Sequence, residues 1–425
     1  MIRKAEILAE RIYQRLPNGL TVIARRVPNR VVTVDVWVGT GSANEDERLN
    51  GVTHFLEHML FKGTPRFGPG ELDRTIMEIG GVWNAGTSKD FTHYYVTVAS
   101  PFFHRALDAV SDMIQHAVVD PVEFERERPV ILEEIRRKQD SPGGVLVDTL
   151  YAVSFRKGPY KRSVLGTHES VSALSRDEMY AYYKSHYTAD NMVVLVVGDM
   201  DPEAAVASIA ESFGGLPPAP AGLSRLNNGL CERAAGESCV IKLAVGETYA
   251  ALGFPAPAVD QADAVLALDL AATILADGRS SRLYRVLKED LRLVSAVWAG
   301  SPTHRHESLF YVLMTLERAK WAEARRAALE VVRDLAARPP SEAEMAKARR
   351  IIRNGLFFST ETNTGQSATI GYYHTLTGSM EFYDTYLERL GHVTAEDVSR
   401  ACAVFEAEPN EVIVEPLGGV EGSGA

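Results

Sequence analysis

Two histidines and a glutamate lie within one short apolar stretch of the sequence, Gly51-Val-Thr-His-Phe-Leu-Glu-His-Met-Leu-Phe-Lys-Gly63. In a helix, His54 and His58 share one face because they are four residues apart, and Glu57 lies beside them. Burying such groups without partners costs on the order of 1–3 kcal/mol each. A metal ion or hydrogen bonds must therefore satisfy them. Zinc fits best, with the two imidazoles as ligands and Glu57 as a base.

The alternative is a pair of helix histidines bonded to backbone carbonyls or to a nearby acid, since such pairs often arise by chance. The intervening glutamate favours the metal. His-x-x-Glu-His is the reversed form of the His-Glu-x-x-His motif, in which two imidazoles hold zinc while the carboxylate takes a proton from water. Five residues are weak evidence alone, so a third ligand must come from elsewhere in the chain.

Candidates for that third ligand lie in the segment from Phe124 to Lys138, which has a helical pattern. Glu127, Ile131 and Glu134 fall along one stripe of that helix, and Glu133 lies about 100° away. Acids on a helix are often only solvated, but two of them on an apolar stripe are candidate ligands. Pro129 is predicted to disfavour helix at Arg128 and to kink the segment.

Composition bounds the class of protein. The 425 residues suit two or more domains, and 46% hydrophobic with 24% charged residues fits a globular chain. A net charge of −11 argues against a nucleic-acid binder. Three cysteines without a Cys-x-x-Cys pair indicate neither a disulfide framework nor a thiolate zinc site. The chain contains neither a signal-peptide pattern nor an apolar run of about 18 residues, so we expect no membrane span. The expected location is cytoplasmic, or periplasmic if a leader has been removed.

The chain is predicted to be an α+β protein made of two similar halves. Leu20–Ala24, Val31–Val38 and the β-rich segment 82–99 alternate with long helical patterns. A helix cap at Ser175, followed sixteen residues later by an asparagine and a strand, recurs 219 residues further on at Thr394. We therefore predict a duplicated α/β sandwich with halves at 1–218 and 237–425, joined by a Pro- and Gly-rich linker at 219–236.

The second half has no matching metal motif. The same offset carries His54, Glu57 and His58 onto Thr273, Ala276 and Asp277, which cannot form an equivalent site.

In these residues the sequence resembles the pitrilysin-type or insulinase-type zinc metallopeptidases, which include the mitochondrial processing peptidase. Their motif is His-x-x-Glu-His followed some 76 residues later by a glutamate, and Glu134 stands 76 positions after His58. The resemblance covers essentially the whole chain. Its other segments are Leu16–Leu20, Asn84–Tyr94, the helix from Glu127 to Glu134, and Ser280–Tyr284.

The resemblance implies a zinc endopeptidase acting on peptides or unfolded segments, whose two halves clamp a chamber. It implies that zinc is held by His54, His58 and Glu134, that Glu57 is the general base, and that Glu127 supports the site. It also places Asn84 and Ala85 on an edge strand where a peptide docks as an added strand, whereas in an unrelated protein Asn84-Ala-Gly-Thr would be a simple turn.

The sequence departs from the family in its second half. Relatives that act alone carry an arginine and a tyrosine seven residues apart that hold the substrate carbonyl, and here Lys288 and Ser295 stand at those places. Lysine still offers a charge, but serine is too short to replace a phenol. We therefore expect a homologous second subunit carrying the arginine and tyrosine, or else a homodimer. The competing hypothesis is a non-catalytic scaffold subunit, against which the intact metal motif speaks.

Overall fold

The structure is a computed structural model that describes residues 11–219 and 231–417. Its strands are β1 Arg11–Arg15, β2 Thr21–Arg26, β3 Val31–Val38, β4 Val82–Thr87, β5 Thr92–Ala99, β6 Phe155–Lys157, β7 Met192–Gly198, β8 Glu232–Arg233, β9 Ser238–Leu243, β10 Thr248–Ala256, β11 Val294–Gly300, β12 Ser308–Leu316 and β13 Asn410–Pro416.

The α-helices of the described residues are α1 Val52–Leu60, α2 Glu71–Glu78, α3 Phe103–His116, α4 Pro121–Gln139, α5 Pro142–Ser154, α6 His168–Ala173, α7 Arg176–His186, α8 Pro202–Phe213, α9 Ala262–Ala276, α10 Trp321–Ala337, α11 Glu342–Ser359, α12 Asn363–Thr377, α13 Glu381–His392 and α14 Ala395–Ala401. Short 3₁₀ turns and a π-helix at Tyr284–Asp290 complete the chain. None of the described helices is both long and apolar enough to cross a bilayer. The mixture of helix and sheet confirms the predicted α+β class.

The first compact unit is built on a six-stranded sheet in the order β1-β2-β7-β3-β5-β4. Only β2 and β7 pair in parallel. Side chains alternate between the faces of the sheet, as the pleat requires. Val194 and Val196 lie in the large core with α1, α3 and α8, whereas Val193 and Leu195 contact α12 on the other face. The sheet is therefore covered by helices on both faces.

The second compact unit repeats this arrangement with five strands in the order β11-β12-β10-β13-β9. Its β13 and β9 pair in parallel and its other neighbours are antiparallel, as in the series β4-β5-β3-β7-β2. The repeated order and direction of five strands support the duplication inferred from the recurring helix cap.

The compact units do not follow the order of the chain. Among the described residues, the first unit comprises residues 11 to Ile135, Ser163 to 219 and Phe357–Tyr383, and the second comprises the remainder. Thus α5, from the first half of the sequence, packs on β10 and β13, while α12, from the second half, packs on β3 and β7. The predicted boundary at 219–236 lies mostly outside the described residues and stays a prediction.

The helices α5 and α12 are called the exchanged helices here, because each packs on the sheet of the other half of the sequence. Both lie very close to those sheets. A Cβ at Gly371 in α12 would lie 2.3 Å from the indole of Trp37, and a Cβ at Gly253 in β10 would lie 2.9 Å from Leu150 in α5. Glycine is needed at residue 371 because a rigid indole cannot give way to a Cβ, whereas at residue 253 the end of the Leu150 side chain would have to shift.

The local predictions from the sequence agree well with these elements. The strand predicted at Val31–Val38 has the same bounds in the structure, and both Ser175 and Thr394 form capping boxes. The predicted interruption at Arg128 is wrong, because α4 runs continuously through Pro129. Pro129 and Glu125, whose carbonyl loses its N–H partner, are both exposed, so water can satisfy that carbonyl.

Candidate metal centre

The N-terminus of α1 is held by the buried carboxylate of Glu45. Its Oε2 accepts from the backbone N–H of Gly51, and its Oε1 accepts from that of Thr53, at 2.8 and 2.9 Å. These N–H groups have no partner within the helix, so the carboxylate serves as the cap. Burial raises the pKa of Glu45, and the hydrogen bonds from Asn50, Gly51 and Thr53 oppose that rise.

A second anchor fixes the same helix end. The hydroxyl of Tyr182 lies 2.9 Å from Thr53 Oγ1 and 2.6 Å from Thr40 Oγ1, in a buried network. Gly51 has a φ of 94° and lies against Gly166, since a Cβ at Gly51 would be 2.9 Å from the Cα of that residue. The first turn of α1 is thus positioned by long-range contacts as well as by its own sequence.

The two histidines of α1 face one carboxylate of α4. Glu134 Oε2 lies 3.6 Å from His54 Nε2 and 3.7 Å from His58 Nε2. One ligand atom from each of these residues lies within 4.8 Å of the others. In the described part of the chain, this is the one such group of three potential metal ligands. The structure therefore brings together the ligand set that the resemblance implied.

The arrangement fits a zinc ion. Ligands bonded at 2.0–2.1 Å in a tetrahedron are about 3.3 Å apart, close to the separations between Glu134 and the two imidazoles. The imidazole of His54 is 9% exposed, whereas the carboxylate side chain of Glu134 is 40% exposed. A site with three protein ligands that is open on one side is typical of catalytic rather than structural zinc.

Glu57 lies next to this group on α1 and is held by Thr87 of β4. The hydroxyl of Thr87 donates to Glu57 Oε2 at 2.5 Å. Burial raises the pKa of Glu57 above its usual value, while the Thr87 hydrogen bond opposes the rise. A carboxyl with a raised pKa is suited to accepting and returning a proton near neutral pH.

Glu127 is not one of the three potential ligands, and it contacts the ring nitrogen of His58 that does not face Glu134. Its Oε1 lies 2.9 Å from His58 Nδ1, and its Oε2 forms a 2.6 Å ion pair with Lys62 Nζ. Burial alone would raise the pKa of Glu127, but Lys62 and His58 together leave that pKa below its usual value. An ionised Glu127 accepts from Nδ1–H, so that His58 Nε2 keeps its lone pair for a metal.

The predicted substrate-contacting residues occupy different units. Asn84 and Ala85 lie in β4, which is the edge of the first sheet, so the edge-strand prediction describes their position and the simple turn is wrong. Lys288 lies in the π-helix of the second unit, with its Nζ 5.1 Å from the centre of the Tyr284 ring. Ser295 is exposed on β11, where its hydroxyl lies within donating distance of two acceptors, Glu247 Oε1 at 3.0 Å and the carbonyl of Thr315 at 3.2 Å.

The sequence does not predict a role in the site for Lys62, Thr87 or Glu45. Each contacts a residue distant along the chain, so no local periodicity marks it.

Comparison with known proteins identifies the family that this chain resembles. The family Insulinase (Peptidase family M16) matches residues 20–168, and the family Peptidase M16 inactive domain matches residues 173–352. A protein of Mycobacterium leprae named as an uncharacterized zinc protease is 32% identical over 394 residues, which cover 90% of this chain and 86% of that protein. A probable mitochondrial-processing peptidase subunit beta of Arabidopsis thaliana is 37% identical over 212 residues, covering 50% of this chain and 40% of that protein.

Solved structures share the fold. A protease from Helicobacter pylori superposes with a TM-score of 0.86 at 23% identity, covering 96% of this chain and 99% of that one. A peptidase M16 inactive domain from Pseudomonas fluorescens has the same TM-score at 18% identity. At these identities the likeness shows the fold alone.

Proposed function

We propose that this chain, which belongs to the insulinase family of peptidases, family M16, is a zinc-dependent endopeptidase that hydrolyses peptides or unfolded segments. The observation that carries the proposal is the convergence of His54, His58 and Glu134 beside a carboxyl, Glu57, that is not a member of the ligand set. A scaffold protein has no need of a half-open group of ligands with a separate base next to it.

The residues divide the chemistry between them. When bound at His54, His58 and Glu134, zinc would supply Lewis-acid polarisation of the scissile carbonyl and of a water. Glu57 would take a proton from the attacking water and pass it to the leaving amine, which departs as the carbon–nitrogen bond breaks. Glu127, in ion pair with Lys62, orients the imidazole of His58.

The strand β4 supports a peptide as the substrate. It is the outermost strand of its sheet, and it carries Asn84 and Ala85 a few residues before Thr87, which contacts the base. An edge strand presents unpaired backbone groups, to which an extended peptide can add as a further strand. Such docking selects chain conformation over sequence, which suits unfolded segments.

We further propose that the active peptidase contains two chains. Ser295 stands at the place of the family's tyrosine, and its short side chain has acceptors of its own within donating distance, Glu247 Oε1 and the carbonyl of Thr315. A homologous subunit with an arginine and a tyrosine at this spacing would complete the site. The subunit name of the Arabidopsis relative is in keeping with this arrangement.

The first experiment tests the metal and the base separately. Purified protein is analysed for zinc and assayed on an unstructured fluorogenic peptide, as wild type, Glu57→Gln, Glu134→Gln and the double variant His54→Ala, His58→Ala. We expect one zinc ion in the wild type and in Glu57→Gln, and weaker zinc binding in Glu134→Gln. Of these proteins, only the wild type should hydrolyse the peptide. Full zinc content in the double histidine variant would refute the site.

The second experiment tests the two-chain arrangement. The chain is assayed alone, with a homologous candidate subunit, and as the double variant Lys288→Arg, Ser295→Tyr. Loss of one donor to the developing oxyanion costs about 10²–10³ in rate, so the mixture and the double variant should both exceed the lone chain. Equal rates for the lone chain and the mixture would refute the arrangement and leave the zinc site intact.

A further inference from the structure

Thr87 is the last residue of β4, and its side chain contacts the glutamate that the proposed function makes the base. We propose that Thr87 is a positioning residue that holds the carboxylate of Glu57 in the orientation needed for proton transfer, and that it ties this orientation to the strand on which the peptide docks. The inference rests on the proposed function and concerns a residue to which that function assigns no role.

The hydrogen bond leaves the two oxygens of Glu57 with different tasks. Oε2 accepts from the Thr87 hydroxyl at 2.5 Å, so that Oε1 is the oxygen free to take a proton from water. A glutamate at a half-buried helix position has rotatable bonds that one charge-assisted hydrogen bond can restrict. Threonine suits this task because its branched side chain has few χ1 options.

The donor itself is held rigidly. Thr87 pairs with Thr92 across the hairpin of β4 and β5, and the backbone N–H of Ser88 donates to the carbonyl of Phe91 at 2.8 Å. The carbonyl of Ser88 in turn accepts from the N–H of Ser42 at 3.2 Å. The hydroxyl of Thr87 therefore has a fixed position relative to the sheet, and its hydrogen bond fixes the position of the Glu57 carboxylate as well.

The same hairpin sets the position of the docking strand. Asn84, Ala85 and Thr87 pair in one uninterrupted register with β5, without a bulge. A peptide added to β4 is placed by the backbone of this strand, while Thr87 places the base. Loss of the hydroxyl should consequently disturb proton transfer and leave docking intact, so that kcat falls and KM does not change.

Valine and serine at residue 87 separate the hydroxyl from the shape of the side chain. Thr87→Val keeps the shape and the strand preference but removes the donor, and Thr87→Ser keeps the donor. Thr97→Val is the matched control. It removes a threonine hydroxyl from β5 of the same hairpin, where that hydroxyl lies 2.8 Å from Thr33 Oγ1 and 3.0 Å from Thr364 Oγ1 and does not contact Glu57. All proteins are loaded with zinc, assayed with the partner subunit if one is needed, and titrated for zinc affinity by chelator competition.

We expect Thr87→Val to lose about 10- to 100-fold in kcat, the range typical of outer partners of a metal site, with KM and zinc affinity within twofold of wild type. Thr87→Ser should recover most of the rate, and Thr97→Val should match the wild type. A crystal structure of Thr87→Val should show the Glu57 carboxylate in a different orientation.

Three results would overturn the inference: a wild-type kcat in Thr87→Val, an equal loss in Thr87→Ser, or a loss of zinc affinity that accounts for the fall in rate. Failure of the proposed function has a different mark, because Glu57→Gln would then be as active as wild type, or wild type would not hydrolyse peptide at all. In that second case the positioning role in catalysis falls with the function.

Discussion

His58 Nδ1 and Glu127 Oε1 lie 2.9 Å apart, and this contact determines which nitrogen of the ring faces Glu134. Lys62 Nζ pairs with the other oxygen of Glu127 at 2.6 Å, so Glu127 links Lys62 to the ligand candidate His58. Outer partners of this kind fix the tautomer and the orientation of a ligating imidazole.

Removal of either outer partner should weaken zinc binding. We expect Lys62→Met and Glu127→Gln each to reduce zinc affinity by about 10- to 100-fold, because His58 loses the acceptor that orients it, or that acceptor loses its counter-ion. Competition with a chromogenic chelator measures the effect. Lys347→Met is the control, since Lys347 donates to the Asp277 carbonyl and to Ser280 in the other unit. Unchanged affinity in both site variants would show that His58 needs no such support.

Gly51 should be indispensable for placing α1. An alanine there would have to adopt a φ of 94° and put its Cβ 2.7 Å from the carbonyl oxygen of Leu165. We expect Gly51→Ala to lower the free energy of unfolding by about 1–3 kcal/mol and to weaken zinc binding, because the turn that carries His54 must move.

Gly70→Ala is the matched control for that variant. Gly70 also precedes a helix with a positive φ, 77°, but a Cβ there would meet nothing within 4 Å. It should show only the backbone cost, about 1 kcal/mol, and no change in zinc affinity. Equal effects of the two alanines would mean that the contact between Gly51 and the 165–166 backbone is unimportant.

The exchanged helix α12 should tolerate no side chain at Gly371. A Cβ there would lie 2.3 Å from the indole of Trp37, so Gly371→Ala forces the helix away from β3. We expect a loss of about 1–3 kcal/mol or more in the free energy of unfolding, measured by denaturant titration. Gly355→Ala in α11, where nothing lies within 4 Å, should instead be neutral or gain up to about 1 kcal/mol from helix propensity. A neutral Gly371→Ala would contradict the packing described for α12.

His374 should make the protein less stable in mild acid. Burial lowers the pKa of His374 from 6.5 to about 4, and its Nδ1 has no hydrogen-bond partner among the described residues. Below pH 6.5 His374 therefore binds a proton in the unfolded chain but stays neutral in the folded protein. Its contribution to the free energy of unfolding is fully present above pH 6.5 and is lost as the pH drops towards 4. Between pH 7 and pH 5, the metal-free wild type should lose about 2 kcal/mol more than His374→Gln.

A carboxyl in the other unit provides a control of opposite sign. Burial raises the pKa of Asp269 from 3.8 to about 7, against the hydrogen bond from Tyr386. Its ionisation opposes folding, so the wild type should lose stability relative to Asp269→Asn as the pH rises from 4 to 8. Parallel pH profiles for the wild type and either variant would show that the corresponding group does not titrate as described.

The sequence by itself determined the chemistry of this protein to a large extent. The i and i+4 spacing of His54 and His58 sets their common face in any α-helix, and the stripe of Glu127 and Glu134 follows from the same period. The caps at Ser175 and Thr394 likewise rest on side chains three residues from the groups they bind. These features involve residues close together along the chain, so the periodicity of the helix and the spacing of its caps are enough to predict them.

The tertiary structure decided how the two glutamates of α4 divide their roles. Both lie on one stripe, but Glu134 faces both histidines, whereas the packing of α4 against α1 puts Glu127 against Lys62 and the far nitrogen of His58. It also decided that Thr87 meets Glu57, thirty residues away, and that α5 and α12 each pack on the sheet of the other half of the sequence. Such contacts depend on which faces exclude water together, and that is a property of the packed chain and not of any window along it.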